Sequence, residues 1–402
     1  MRPLDNLQVL DISRALAGPY CTMVLGDLGA DVIKVELPDQ GDESRGWGPP
    51  FVGDPYGSYP GESTYFMVIN RNKRSITVNM KSPEGQEIIK RLASQSDVLV
   101  ENFRTGVLDK MGLGYEDLHS INSRLIYCSI SGYGRTGPYA ERPGYDFIIQ
   151  AEGGIMGVTG PEEGPPYRVG IPIIDVTTGI FASAAILAAL HARDLTGEGQ
   201  LVDISLLDTS VAVLANVGSN YIIGNVEPKR MGNAHFTIAP YEVFRARDRW
   251  FTLAAANARQ WEMLCEVINK PELKNDPRFI TNKDRIKYRA ALAEILNGIF
   301  ATENVDIWLG KLQEVGIPSG PINTIRDVFD HPQAAERKFT VEIEHPTAGK
   351  VSFPGFPYKM SNTPAELHRP PPRLGEHTEE VLIEKLGYSS KQITLLKEQK
   401  AI

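Results

Sequence analysis

A chain of 402 residues, 42% of them hydrophobic, can bury a sizeable core and divides more naturally into two domains than one. Its net charge of −8 argues against a general nucleic-acid or membrane-surface role, because each needs Lys and Arg in excess on one face. The three cysteines, Cys21, Cys128 and Cys265, lack the paired spacing of zinc and redox motifs and are expected to be buried thiols.

Short runs rich in β-branched residues come at Leu7 to Ile12, Asp31 to Glu36, Ser75 to Val78, Val98 to Val100, Leu125 to Ile130 and Leu201 to Ile204. Helix-like stretches separate them, so a mostly parallel sheet covered on both faces is expected, in an α/β fold. The first strand follows Met1 so closely that no signal or transit segment is expected. A cytoplasmic location follows, or the mitochondrial matrix for a chain already trimmed. No run approaches roughly 18 uninterrupted apolar residues, so no membrane span is expected. Ser82 and Pro83 mark a helix start, the first as N-cap and the second at the first helical position.

After about residue 220 the character changes. Tyr241 to Phe244 and Phe251 to Ala255 read as a hairpin, followed by helical patterns at Trp261 to Ile268 and Arg289 to Phe300. The expected domains are 1–224, a smaller α+β domain at 225–328, and a segment at 329–402 that returns to the first.

Three segments carry candidate chemistry. Gly132-Tyr-Gly134-Arg-Thr-Gly137 formally matches the dinucleotide fingerprint, but Pro138 and Pro143 stand where its helix would run, and an interior proline costs about 3 kcal/mol. A Gly-rich turn at a strand's carboxyl end is expected there. Asp175, before the apolar segment Ile180 to Ala192, reads two ways from spacing alone: an N-cap, or a carboxylate kept from water by Ile171, Ile173 and Ile174 and so able to attack an acyl carbon. Arg71, Asn72, Lys73 and Arg74 form a basic run in an acidic chain, either a solvated loop or a phosphate site. The seven histidines show no metal-ligand spacing, and there is no nucleophile elbow.

Taken in order, Leu16-Ala-Gly-Pro19, Leu28 to Glu36, Asn72-Lys-Arg-Ser75, Val100-Glu-Asn-Phe103, Ser131-Gly-Tyr-Gly134, Gly316 to Pro321 and Leu374-Gly-Glu-His-Thr378 resemble the class III CoA-transferases over nearly the whole chain. That resemblance implies a Rossmann-like large domain, a smaller domain and an interlocked homodimer. It implies Asp175 as a nucleophile that forms an aspartyl-CoA thioester, with coenzyme A and acyl-CoA as substrates and no tightly bound cofactor or metal. It places CoA contacts on Ala15, Leu16, Arg71, Asn72, Lys73, Arg74, Glu101, Asn102, Phe103, Lys110, Arg142 and Tyr145. The stretch Lys229 to Tyr241 looks like the subgroup that uses succinyl-CoA with glutarate or 3-hydroxy-3-methylglutarate. A dicarboxylic substrate needs a cation for its second carboxylate; Arg45 and Arg168 each read either as that cation or as an ordinary surface arginine, and if neither serves the selectivity falls to His235 or Tyr241. Two other readings stay open: an α-methylacyl-CoA racemase, although Tyr145 stands where that family has its histidine, and a catalytically silent acyl-CoA binder. A nicotinamide or flavin enzyme is the weaker reading of the glycine loop.

Overall fold

The β-branched runs become the strands β1 (Gln8–Asp11), β2 (Asp31–Glu36), β3 (Lys73–Thr77), β4 (Val98–Glu101), β5 (Ile126–Ser131) and β6 (Leu201–Ser205) of a computed structural model that describes residues 2–52 and 62–402. The strands form one sheet in the order β3-β2-β1-β4-β5-β6, parallel throughout. Parallel neighbours need crossovers, and helices supply them. In chain order the first eight are α1 (Ala17–Asp27), α2 (Thr64–Ile69), α3 (Pro83–Ala93), α4 (Tyr115–Ile121), α5 (Asp146–Glu152), α6 (Ile155–Val158), α7 (Ile173–Thr196) and α8 (Leu206–Val213). The α3 start follows the sequence reading: Ser82 Oγ accepts from the Gly85 amide at 3.0 Å, and Pro83 is the first helical residue.

The chain divides into two compact units, one of residues 2–154, 169–213 and 333–402, the other of 155–168 and 214–332. The second unit therefore starts earlier than the expected 225 and takes the excursion 155–168 from the large domain's expected span. In the first unit Leu10, Ile33, Ile76 and Leu99 of the sheet pack with Ile88, Ile89 and Leu92 of α3 and with Val381, Leu382, Ile393 and Leu396 from the last two helices. The C-terminal segment thus completes the first core. Cys21, Cys128 and Cys265 are buried free thiols.

Helix α7 is long and apolar enough to cross a membrane by length and composition alone. In the fold it is a packing element: Ile174, Ala182, Ile186 and Leu190 are buried on one face, and a Cβ on Gly179 would lie 2.8 Å from the Ala17 carbonyl of α1. The close approach of two backbones is the reason for glycine there.

The second unit is built on an antiparallel sheet, β7 (Tyr241–Arg245), β8 (Trp250–Ala254) and β9 (Ser319–Pro321), in the order β7-β8-β9. Its own core gathers Phe244, Phe251, Trp261, Phe300 and Trp308, with the Phe251 and Phe300 rings edge to face at 5.0 Å.

Candidate active site

Strand order reverses between β1 and β4, and in open α/β sheets ligands settle outside the carboxyl ends of the strands at such a point. A cavity of about 230 Å³ lies there. Arg14 to Ala17 line it after β1, Asn102 to Thr105 after β4, and Ser131 and Gly132 at the end of β5. Arg142, Pro143, Gly144, Tyr145 and Asp175 also stand in the wall. A Cβ on Gly132 would lie 2.6 Å from Gly144 Cα, so the glycines let two loop backbones meet. Between β5 and Asp146 no helix opens, and the glycine run is a turn, which removes the dinucleotide reading.

Asp175 is the third residue of α7, not its N-cap; that position belongs to Pro172. The helix start is capped by Asp146, whose Oδ1 accepts from the Ile174 amide at 2.8 Å and the Asp175 amide at 3.3 Å. Asp175 is thereby released from a capping role, and among the described residues its carboxylate accepts no side-chain hydrogen bond. Burial, then the negative charge of Asp146, raises its pKa from 3.8 to about 7. A carboxylate so poorly solvated is more basic than a surface aspartate and a better nucleophile once ionised.

A second cavity of about 160 Å³ adjoins the first, with Arg14 and Phe103 lining both. Its walls are largely apolar, from Ile12, Val35, Val78, Met80 and Met111, with Glu36, Asp42 and Lys81 also lining it. The Arg14 guanidinium lies 4.9 Å from the centre of the Phe103 ring. Sequence reading missed Arg14, Asp146 and the Val78 to Lys81 turn. The available signal was position: Arg14 and the turn both directly follow parallel strands.

The basic run requires correction. Arg71 Nη2 reaches Asp27 at 2.8 Å and its Nη1 the Pro354 carbonyl at 2.8 Å; Asn72 Nδ2 also donates to Asp27, at 2.8 Å. Lys73 is fully buried with Nζ on Asp11 at 3.0 Å, and burial lowers its pKa to about 8. Arg74 pairs with Asp31 at 2.5 Å and Glu384 at 2.7 Å. These donors are spent inside the first unit and do not present a phosphate site.

Arg45 is corrected for the same reason: its Nε and Nη2 bond Glu36, its Nη1 bonds Glu62, and its guanidinium stacks 3.7 Å over Phe66. Glu101 lies beneath the cavity, 2% exposed, accepting from the Phe103 amide at 2.8 Å with Arg135 at 3.7 Å. Burial raises its pKa to about 7. It supports the loop and does not line the cavity. Lys110 is exposed beside Met111 and lines neither cavity. Ala15, Leu16, Asn102, Phe103, Arg142 and Tyr145 do line the first, Arg142 with Glu152 at 2.9 Å and its guanidinium over the Tyr139 ring at 4.4 Å. Arg168, His235 and Tyr241 belong to the second unit and are not among the lining residues; there the His235 and Tyr241 rings stack at 4.9 Å. Among the described residues no cluster of His, Cys, Asp and Glu has metal-binding geometry.

A model of the family described as CoA-transferase family III matches residues 4–378. The succinyl-CoA:glutarate CoA-transferase of Mus musculus is 47% identical over 396 residues, 98% of this chain and 89% of that protein. A succinate–glutarate CoA-transferase of Agrobacterium fabrum is 42% identical over 382 residues, 95% of each chain. Among solved structures, a CAIB/BAIF family protein from Brucella suis is similar with a TM-score of 0.84 at 44% identity, covering 96% of this chain and 99% of that one.

Proposed function

The chain belongs to CoA-transferase family III, and from that premise we propose that it moves CoA from succinyl-CoA to a small dicarboxylic acid such as glutarate through a thioester on Asp175. The observation that carries this reading is the poorly solvated, uncapped carboxylate of Asp175 in a cavity at the sheet's switch point.

In this reading an Asp175 oxygen attacks the thioester carbonyl of the donor, and the C–S bond breaks to leave a mixed anhydride and CoA thiolate. The thiolate then attacks the Asp175 carbonyl and releases the donor as its free carboxylate. An acceptor carboxylate attacks the aspartyl thioester and expels CoA thiolate, leaving a second mixed anhydride; the thiolate then attacks the acceptor's carbonyl, forming the new acyl-CoA and releasing Asp175 as its carboxylate. Each step exchanges one acyl bond for another, so the energy of the thioester is kept provided water is excluded. Ala17 lines the cavity at the first turn of α1, where unpaired N–H groups and the positive end of the helix dipole favour the oxyanion. Coenzyme A comes and goes as a substrate, and no resident cofactor takes part.

The apolar second cavity suits the adenine ring, with Arg14 and Lys81 as cations for the phosphates. Replacing Arg14 by Ala is expected to raise KM for acyl-CoA about tenfold with kcat nearly unchanged, the mark of an interaction made equally in ground and transition states. We also propose a homodimer. Helices α5 and α7 leave Phe147 54% and Ile180 50% exposed, with Ile148, Phe181 and Leu187 beside them in the two sequences. Light scattering at micromolar protein is expected to give the mass of two chains.

The deciding experiment is mass spectrometry of the products after mixing the protein with succinyl-CoA and glutarate, 3-hydroxy-3-methylglutarate, malate, oxalate or carnitine. New acyl-CoA identifies the acceptor. Succinyl-CoA that stays intact with every acid, yet binds, favours the silent binder.

A further inference from the structure

We infer that Asp42 and Lys34 are positioning residues for acyl transfer: as a buried pair they hold the left-handed turn at Ala15 that sets the start of α1 in the cavity wall shared with Asp175. The inference rests on the acyl-transfer reading and deepens it.

Lys34 is fully buried and Asp42 is 2% exposed, with Lys34 Nζ 2.8 Å from Asp42 Oδ2. Lys34 Nζ also donates to the Ser13 carbonyl at 3.0 Å, and Asp42 Oδ1 accepts from the Ala15 amide at 3.2 Å and the Ser44 amide at 2.9 Å. The neighbouring backbone is tied as closely. The Ser13 amide donates to Asp11 at 3.0 Å, and Asn102 bonds both the amide and the carbonyl of Arg14, at 2.8 and 2.7 Å. Every residue from Ser13 to Ala15 is therefore gripped by side chains from other parts of the first unit.

The grip imposes a conformation. Ala15 has φ +64°, which a residue with a Cβ adopts only where its surroundings over-determine it. Buried ion pairs are weak stabilisers, and well-packed apolar side chains of similar volume often replace them without loss. Stability alone is thus a poor reason for a lysine and an aspartate here. Geometry is a better one: Ala15, Leu16 and Ala17 line the same cavity as Asp175, and a displacement of about 1 Å at a reacting centre costs on the order of a hundredfold in rate.

Two double variants of the full-length protein separate these roles. Lys34→Met/Asp42→Leu replaces the pair with apolar side chains, whereas Lys34→Met/Asp42→Asn keeps an acceptor for the Ala15 amide. With succinyl-CoA and glutarate, the Leu variant is expected to lose about a hundredfold in kcat, and the Asn variant, altered at the same two positions, to recover at least about tenfold of it. Hydrogen–deuterium exchange across residues 13–17 is expected to speed up in the Leu variant only. As a control, Arg193→Met breaks the ion pair to Asp97 near the far end of α7 and is expected to lower Tm while leaving kcat alone. Native kcat in the folded Leu variant, or equal loss in both double variants, overturns the proposal. If neither variant folds, native-state exchange decides: an Ala15 amide that exchanges as fast as unstructured chain shows that the grip does not exist. A native enzyme that transfers nothing, or an Asp175→Asn enzyme that transfers fully, defeats the acyl-transfer reading instead, and the exchange data still report on the turn.

Discussion

Asp175→Asn is expected to slow CoA transfer by about 10⁴-fold or more while leaving KM for acyl-CoA close to native, because it removes the nucleophile and little of the binding surface. Trapping and mass analysis are expected to find a CoA adduct on the native protein and none on the variant. The native enzyme has a pH signature too. Asp175 must be ionised to attack, and burial together with Asp146 raises its pKa to about 7, so kcat/KM is expected to fall tenfold per unit below about pH 7 and level off above it. Stability runs the other way. Between the ordinary value of 3.8 and about 7 the unfolded chain has released a proton that the folded protein still holds, so this group's contribution to stability declines as pH rises through that window. Asp175→Asn has no such proton. It is expected to melt above the native protein at pH 8 and to lose that advantage near pH 4; a flat rate profile with native activity in the variant would defeat the mechanism.

The second large effect is on folding. Arg71→Leu is expected to destabilise the protein by about 3–5 kcal/mol, since it leaves Asp27, itself 2% exposed, without its buried partner. Burial already works to raise the Asp27 pKa, and Arg71 is the chief group opposing it. At a temperature where the variant is still folded, KM for acyl-CoA is expected to be unchanged. A raised KM in a variant of native stability would restore the phosphate-contact reading of the basic run. Urea denaturation and steady-state kinetics on the same preparation separate the two.

The parallel sheet, the hairpin of the second unit and the α3 start were legible in the sequence because each depends on residues near one another in the chain. Alternating apolar runs make strands and a Ser-Pro pair starts a helix, whatever the rest of the molecule does. Asp175 was legible as a candidate for the same reason, its chemistry being written in the apolar residues beside it. Its freedom was not. Only the fold brings Asp146, at the start of α5, to the α7 terminus and so takes the capping role from Asp175. The basic run shows the converse. Three cations in four residues look like an anion site until the turn before β3 and the strand itself carry them into the first unit, where Asp27, Asp11 and Asp31, each distant in sequence, neutralise them. Arg45 was lost to Glu36 and Glu62 in the same way. Whether a charge faces a ligand or another side chain depends on which long-range partner arrives, and no local pattern encodes that. Strand order, fixed by the packing of the whole sheet, placed the switch point between β1 and β4 and made a cation-bearing neck out of Arg14 and Phe103.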